Sequence, residues 1–329
     1  MTKLAFLFPG QGSQSVGMMA AWGANSTVAA ILARANAALG EDLSGLIAAG
    51  PAEQLSLTVN TQPAMLVGAY AAFSAWRAAG GVEPAVAAGH SLGEYTALVA
   101  AGVLSLEDAV RTVRVRATAM QVAVPVGVGA MAAILGLESD KVRAACASVS
   151  IPSALAEAVN FNDPLQTVIA GHVAGVAAAI EACKAAGAKR GLNLPVSAPF
   201  HSSLMRPVAA PLQAQLDSIT LHAPRFGVVN NVDVAQAQQA AAIKDALIRQ
   251  AYSPVRWVET IGAMRASGVN TFIECGPGKA LAGMVKRIAP EAWFTTCLTR
   301  LALQLHCLLQ NLKEGLHKPS FVVMRCRSL

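Results

Sequence analysis

Gly89-His90-Ser91-Leu92-Gly93 is a G-x-S-x-G pentapeptide. An apolar run, residues 84–88, precedes it, and a helix-forming run, residues 94–101, follows. In a strand–turn–helix setting this motif holds a serine in a strained backbone pose, with its hydroxyl raised clear of a sheet. Glycines two residues before and after leave room for strand and helix to pack around the bend. The amide after the serine then faces the same space as the hydroxyl and stabilises charge on a reacting carbonyl oxygen. That chemistry is acyl transfer through a serine ester. In a chain so rich in alanine and glycine, chance is the competing explanation, and partners elsewhere must decide.

A serine nucleophile needs a base. His201 lies in Ala198-Pro199-Phe200-His201-Ser202-Ser203, between an expected strand and an expected helix, where catalytic groups concentrate. His90 adjoins the serine, so its side chain is expected to point away from the hydroxyl. His172, His222, His306 and His317 lack such a context. A hydrolase triad would add an acid between Ser91 and His201. Asp163, in Asn160-Phe161-Asn162-Asp163-Pro164, is the one candidate in a suitable loop, and an Asx turn before proline explains it equally well.

These residues need a scaffold. Residues 3–8 read as an apolar strand ending at Pro9-Gly10, followed by the loop Gly10-Gln11-Gly12-Ser13-Gln14. Helical patterns cover about 27–39 and 62–79, then come the strand, the elbow and its helix, and another helix over about 106–121. This alternation predicts a parallel sheet flanked by helices. From about residue 127 the rhythm becomes strand 130–136, helix 139–148, strands 156–160 and 166–170, helix 173–186 and strand 189–194. The order β-α-β-β-α-β is the ferredoxin-like pattern. A helix at 204–218, a strand at 226–230, helices at 238–250 and 256–266 and a strand at 270–274 resume the larger unit. The fold class expected is α/β: an α/β-hydrolase-like parallel-sheet domain over 1–126 and 197–296, a ferredoxin-like subdomain inserted over 127–196, and a tail over 297–329.

At 329 residues and 54% apolar content, the chain buries a large core as one domain, or as one with an insertion. The most apolar stretches, 54–76 and 117–137, are interrupted by Gln62, Pro63, Gln121 and Pro125, so no membrane span is expected. The N-terminal apolar run is too short for a signal peptide, and the expected location is cytoplasmic. The six cysteines include no C-x-x-C pair; they read as unbridged, mostly buried thiols without a zinc site. Of the net charge of +6, residues 297–329 carry +4. The body is therefore too weakly basic, and too poor in interleaved aromatics, for nucleic acid. Gly276-Pro277-Gly278-Lys279 lacks P-loop spacing and its hydroxyl and reads as a turn opening a helix; Gly10, Gly12 and Gly17 miss the dinucleotide G-x-G-x-x-G spacing. No cofactor or metal is expected, and a monomer is.

Several further segments make the resemblance specific. Phe8-Pro9-Gly10-Gln11-Gly12-Ser13-Gln14, Gly89-His90-Ser91-Leu92-Gly93-Glu94-Tyr95, Arg116 before Met120-Gln121, Gly129-Ala130-Met131-Ala132-Ala133 and Asn160-Phe161-Asn162 stand in this order. Pro199-Phe200-His201-Ser202, Val229-Asn230-Asn231-Val232-Asp233, Gln250 and Glu274-Cys275-Gly276-Pro277-Gly278-Lys279 continue it. Over roughly residues 3–290 the chain resembles the malonyl-CoA:acyl-carrier-protein transacylases, relatives of polyketide acyltransferase domains. The resemblance implies Ser91 as the nucleophile carrying malonyl and His201 as general base, then acid. It implies a main-chain carbonyl near Gln250, rather than an Asp, orienting the histidine, and amides of Gln11 and Leu92 as the oxyanion hole. It further implies Arg116 on the malonate carboxylate, and His90, Phe200 and Asn162 on the substrate. A guanidinium suits that carboxylate on physical grounds, although Arg111 and Arg114 share the helix and a surface position is the alternative. The Phe200 ring implies preference for malonyl over branched acyl groups. The partners implied are malonyl-CoA and an acidic acyl carrier protein.

Two rival functions remain open at this point: a serine esterase or thioesterase on the same elbow, and a catalytically silent module that docks carrier protein. Beyond about residue 296 the resemblance stops, and the amphipathic stretch 298–312 and basic end read as an appended segment without catalytic role. Deleting 298–329 is expected to leave transacylation intact; a large loss of kcat/KM in a folded deletant would contradict this.

Overall fold

A computed structural model describes residues 3–196 and 198–297, so the tail expected over 297–329 lies outside the described residues from 298 onward. β1 (Lys3–Phe8) is apolar from Leu4 onward and stands at the middle of a five-stranded sheet. Strands covered on both faces read this way, without polar alternation. After β1 come α1 (Ser26–Leu39), α2 (Leu43–Ala49), α3 (Ala52–Leu55), α4 (Thr58–Ala78), β2 (Val86–Gly89), α5 (Gly93–Ala100) and α6 (Leu106–Val122). The next six elements are β3 (Gly129–Leu135), α7 (Ser139–Val149), β4 (Ala156–Asp163), β5 (Gln166–His172), α8 (Val173–Ala185) and β6 (Arg190–Asn193). A 3-10 turn (Ser203–Val208) then leads into α9 (Ala209–Asp217), β7 (Gly227–Val229), α10 (Ala240–Gln250), α11 (Trp257–Ala266), β8 (Val269–Cys275), α12 (Ala280–Ile288) and β9 (Trp293–Cys297).

The large sheet has the order β7-β2-β1-β8-β9, paired in parallel throughout. All its strands therefore end on one edge. The β1/β2 register runs out at Phe8 opposite Gly89, which sets the Pro9–Gln14 loop beside the elbow. The second sheet, β4-β5-β3-β6, is antiparallel and separate. Among the described residues the protein is thus mixed α/β, with one parallel and one antiparallel sheet. The two halves are stitched beside the end of α10: Val255 accepts from the Phe161 amide at 3.0 Å and donates to the Val159 carbonyl at 2.8 Å.

The core centres on α4, of whose 21 residues 15 are buried. A helix enclosed on all sides has no polar stripe to mark it. Its Phe73 meets Phe6 and Phe8 edge-on, and Trp76 meets Phe6 likewise. The Trp76 indole donates to the Val82 carbonyl at 3.0 Å, so burial leaves no unpaired donor there. Two helices, α2 and α3, were not expected. At seven and four residues they are too short to show a 3.6-residue period, and a polar cap, Asp42 accepting from the Gly45 amide at 2.9 Å, starts α2. β4 also runs three residues beyond its expected end. Among the described residues no helix is long and apolar enough to cross a membrane.

Truncating Trp76 or Phe73 to alanine is expected to lower unfolding free energy by about 3–5 kcal/mol, read from urea unfolding. A loss under about 0.5 kcal/mol, typical of surface sites, would show that this aromatic cluster does not anchor the core.

Candidate active site

Ser91 has φ 52°, the left-handed region that a residue with a Cβ occupies only under constraint. Glycine is obligatory at both flanks for steric reasons. A Cβ on Gly89 would overlap the Gly93 backbone, and one on Gly93 would overlap the Phe8 carbonyl. The strained turn is also tied down. Asn231 Oδ1 accepts from the Ser91 amide at 2.7 Å, and its Nδ2 donates to the Gly89 carbonyl at 2.7 Å.

His201 is buried and likewise left-handed, at φ 66°. The Ser202 hydroxyl donates to the Pro199 carbonyl at 2.6 Å. Glu157 on β4 accepts from the Ser203 amide at 2.6 Å. Nε2 lies 2.6 Å from Ser91 Oγ, and Nδ1 lies 2.9 Å from the Gln250 carbonyl. A carbonyl only accepts, so Nδ1 carries the proton and Nε2 presents its lone pair to the serine hydroxyl. Burial, then the nearby Arg116 charge, pushes the imidazole down to about 3. It is neutral, as a general base must be. Asp163, the open candidate for a third acid, is engaged elsewhere: it accepts from the Leu165 amide at 2.9 Å and pairs with Arg287 at 2.6 Å. The Asx-type turn is the correct reading of that residue, and the acceptor on His201 is a backbone atom.

Arg116 is 1% exposed. It is not a surface residue like its helix neighbours, since Arg111 donates to the Ala38 carbonyl and Arg114 pairs with Glu41. Its guanidinium donates to Gln62 Oε1 at 2.7 Å, to Gln250 Oε1 at 2.9 Å and to Ser91 Oγ at 3.2 Å. The Tyr95 ring lies beneath it, 5.5 Å from centroid to Cζ. Among the described residues no carboxylate is within ion-pair distance of Arg116. A buried cation bonded only to neutral oxygens is poised for an anion.

A cavity of about 630 Å³ opens in front of these groups, between the two sheets. Met131 and Val168 from the antiparallel sheet, Met284 from α12 and Phe200 form apolar wall; Gln11 and Leu92 line it beside Ser91. The Thr58 hydroxyl donates to Gln11 Oε1 at 3.0 Å, holding that loop at the site. His90 turns away from the serine hydroxyl, its Nε2 2.8 Å from Asn162 Oδ1, and both residues also line the cavity. The structure thus gathers Ser91, His201, Gln250, Arg116, Gln11, Leu92, His90, Phe200 and Asn162 around one space. Sequence reasoning assigned no role to Gln62, Glu94 or Asn231. A glutamine near the start of a mostly buried, apolar helix was a usable signal for Gln62. Glu94 and Asn231 stood in recognised segments, but the contacts of Glu94 to Asn231 and to Gln250 each span more than a hundred residues. Burial pushes the Cys146 thiol up to about 12, which removes it as a nucleophile.

A G-x-S-x-G elbow, a histidine oriented toward its serine and a buried arginine without a carboxylate partner share one cleft, the arrangement of an acyltransferase. The chain belongs to the acyl transferase domain family, which matches residues 5–292. It is 53% identical over 289 residues to a protein of Salmonella typhimurium named malonyl CoA-acyl carrier protein transacylase, covering 88% of this chain and 93% of that protein. Its fold matches the acyl-carrier-protein S-malonyltransferase from Burkholderia pseudomallei with a TM-score of 0.90 at 55% identity, covering 92% of this chain and 99% of that one. It also matches, with a TM-score of 0.91 at 45% identity, the malonyl-transacylase solved in complex with its type II PKS acyl-carrier protein, covering 94% and 100%.

Because the base is active when neutral and burial lowers its proton affinity, activity is expected to persist on acidification. The acid limb of kcat/KM for acylation should fall below pH 6. A limb at or above the ordinary histidine value of about 6.5 would mean that His201 is not held neutral as the geometry requires.

Proposed function

We propose that the protein transfers malonyl from malonyl-CoA to the phosphopantetheine thiol of acyl carrier protein, through a malonyl ester on Ser91, in fatty-acid or polyketide synthesis. The observation that carries this reading is the buried Arg116 guanidinium, 3.2 Å from the nucleophilic oxygen. An acyl group attached at Ser91 with a free carboxylate at its far end places that carboxylate on the cation.

His201 Nε2 takes the Ser91 proton as Oγ attacks the thioester carbonyl. The Arg116 contact to Oγ favours the developing alkoxide. The amides of Gln11 and Leu92 receive the oxyanion; removing one such donor typically costs about 10²–10³ in rate. Collapse of the tetrahedral intermediate expels coenzyme A, and His201 returns the proton to its sulfur. The carrier thiol then enters and the same steps run in reverse order of groups. Exchange of a thioester for an oxygen ester and back needs a nucleophile, a base and oxyanion donors, all of which the chain supplies, so the reaction calls for no resident cofactor. His90 and Asn162, locked to each other, and the Phe200 ring shape the acyl pocket against branched groups.

The same reading extends to organisation. The parallel-sheet unit over 1–126 and 197–296 is α/β-hydrolase-like, and the insertion over 127–196 is ferredoxin-like; the β-α-β-β-α-β order and the β4-β5-β3-β6 strand order support the latter. A monomer working beside its carrier protein in the cytoplasm fits both.

Intact-protein mass spectrometry after mixing with malonyl-CoA tests the function. A malonyl adduct on Ser91 that persists and moves to added phosphopantetheinylated carrier is expected. Decay to malonate without carrier would indicate a hydrolase, and no adduct a docking protein. Arg116→Ala is expected to lower kcat/KM for malonyl-CoA about 10- to 100-fold more than for acetyl-CoA, the worth of a charge-assisted hydrogen bond. Equal losses would remove Arg116 from carboxylate recognition.

A further inference from the structure

Glu94 is 2% exposed and lies one residue past the G-x-S-x-G motif, on the first turn of α5. It touches neither the serine hydroxyl nor the histidine. Its Oε2 accepts from Gln250 Nε2 at 2.9 Å and from the Asn231 amide at 2.9 Å. Gln250 Nε2 gives its other hydrogen to the Ser91 carbonyl at 3.0 Å. Two acceptors on one side of a primary amide admit only its NH₂ group there. They therefore force the Gln250 carbonyl oxygen to the opposite side, where it receives Arg116 at 2.9 Å. A flipped amide would set an NH₂ against a guanidinium and a carbonyl against a carboxylate, which is repulsive at both ends.

We propose that Glu94 is a positioning residue for selection of carboxylated acyl groups: by fixing which way the Gln250 amide faces, it aims the Arg116 guanidinium at the acyl pocket. The inference rests on the malonyl-transfer reading above. Glu94 acts on Arg116 two hydrogen bonds away; what passes through the Arg116 contact to Ser91 Oγ is common to every acyl donor, and the excess loss for malonyl is the part that reads the carboxylate. Hydrogen bonding, not the net charge of Glu94, is what the geometry uses. Burial pushes the carboxyl up to about 7, against the pull of its bonds to Gln250 and Asn231, and a protonated Glu94 still offers Oε2 to both donors. Glutamine at this position offers the same oxygen.

The test compares acylation from malonyl-CoA and acetyl-CoA, by kinetics and intact mass, in wild type, Glu94→Ala, Glu94→Gln and Glu94→Asp. In Glu94→Ala the malonyl-to-acetyl ratio of kcat/KM is expected to fall about 10- to 100-fold. The loss should sit mainly in KM for malonyl-CoA, since carboxylate binding is common to ground and transition states. Glu94→Gln should restore the ratio to within about threefold, an allowance well under one decade of 1.4 kcal/mol. Should Glu94→Ala fail to unfold cooperatively, Glu94→Asp, a carboxylate one methylene short of Gln250, carries the prediction of a reduced ratio. An unchanged ratio in a folded Ala or Asp variant would overturn the proposal, because a merely structural residue depresses both substrates together. So would a Gln variant as impaired as Ala. A wild-type protein that takes acetyl but no malonyl would instead overturn the functional reading and this inference with it.

Discussion

A guanidinium taken out of water must be surrounded by acceptors, and the site is organised around meeting that demand at Arg116 without a carboxylate in contact. The idealised desolvation of such an ion is severe, and even after relaxation it amounts to several kcal/mol. Here the acceptors are two neutral amide oxygens, from Gln62 on α4 and Gln250 at the end of α10, and the serine hydroxyl itself. These helices approach from different sides, so the buried cation draws α4, α6 and α10 to one point. The arrangement leaves Arg116 bonded yet uncompensated in charge at short range. A full ion pair would have stabilised the charge and closed the site to an incoming carboxylate.

Gln250 turns this local solution into a catalytic one. Its side chain serves Arg116, Glu94 and the Ser91 carbonyl, while its backbone oxygen fixes the proton on His201 Nδ1. Arg116, the elbow and His201 are therefore all referenced to one residue. Asn231 complements it by holding the elbow on its other side. Left-handed backbone at Ser91 and at His201 costs on the order of 1–3 kcal/mol each, and it persists because these bonds over-determine both turns. The Phe8 carbonyl packed against Gly93 does the same sterically, which is why β1 and β2 must be neighbours and parallel.

How far this could be read from sequence follows from the same physics. The elbow was legible because close backbone approach admits only glycine, and glycines show in a sequence. β1 was legible because a doubly covered strand is uniformly apolar. His201 stood out as a loop residue at a strand end. Arg116 did not separate itself from Arg111 and Arg114, since which side of α6 faces the cavity depends on α4 and α10, which are distant in sequence. The third partner of the histidine was legible only through the family resemblance, because it is a main-chain carbonyl that no side chain marks. Asp163 attracted attention for its loop, but its true partner, Arg287, lies 124 residues away. Glu94 sat in plain view next to the motif; its meaning depends on an amide 156 residues away.

The position of the second sheet bears on whether an ester at Ser91 would be transferred or hydrolysed. An ester on Ser91 beside a neutral, well-oriented histidine is reactive toward any nucleophile that can reach it, water included. What distinguishes a thiol on a long pantetheine arm from water is reach and apolar contact, not proton affinity alone. Part of the wall facing Ser91 comes from Met131, Val168, Met284 and Phe200, side chains that offer water no hydrogen bonds and present an apolar surface to an alkyl arm. β4 is bonded directly to the segment that follows α10, and Glu157 on the same strand holds the His201 loop. The antiparallel sheet and the loop carrying His201 are therefore joined by hydrogen bonds. The second sheet thus contributes apolar wall to the cleft and, through Glu157, holds the loop that carries His201.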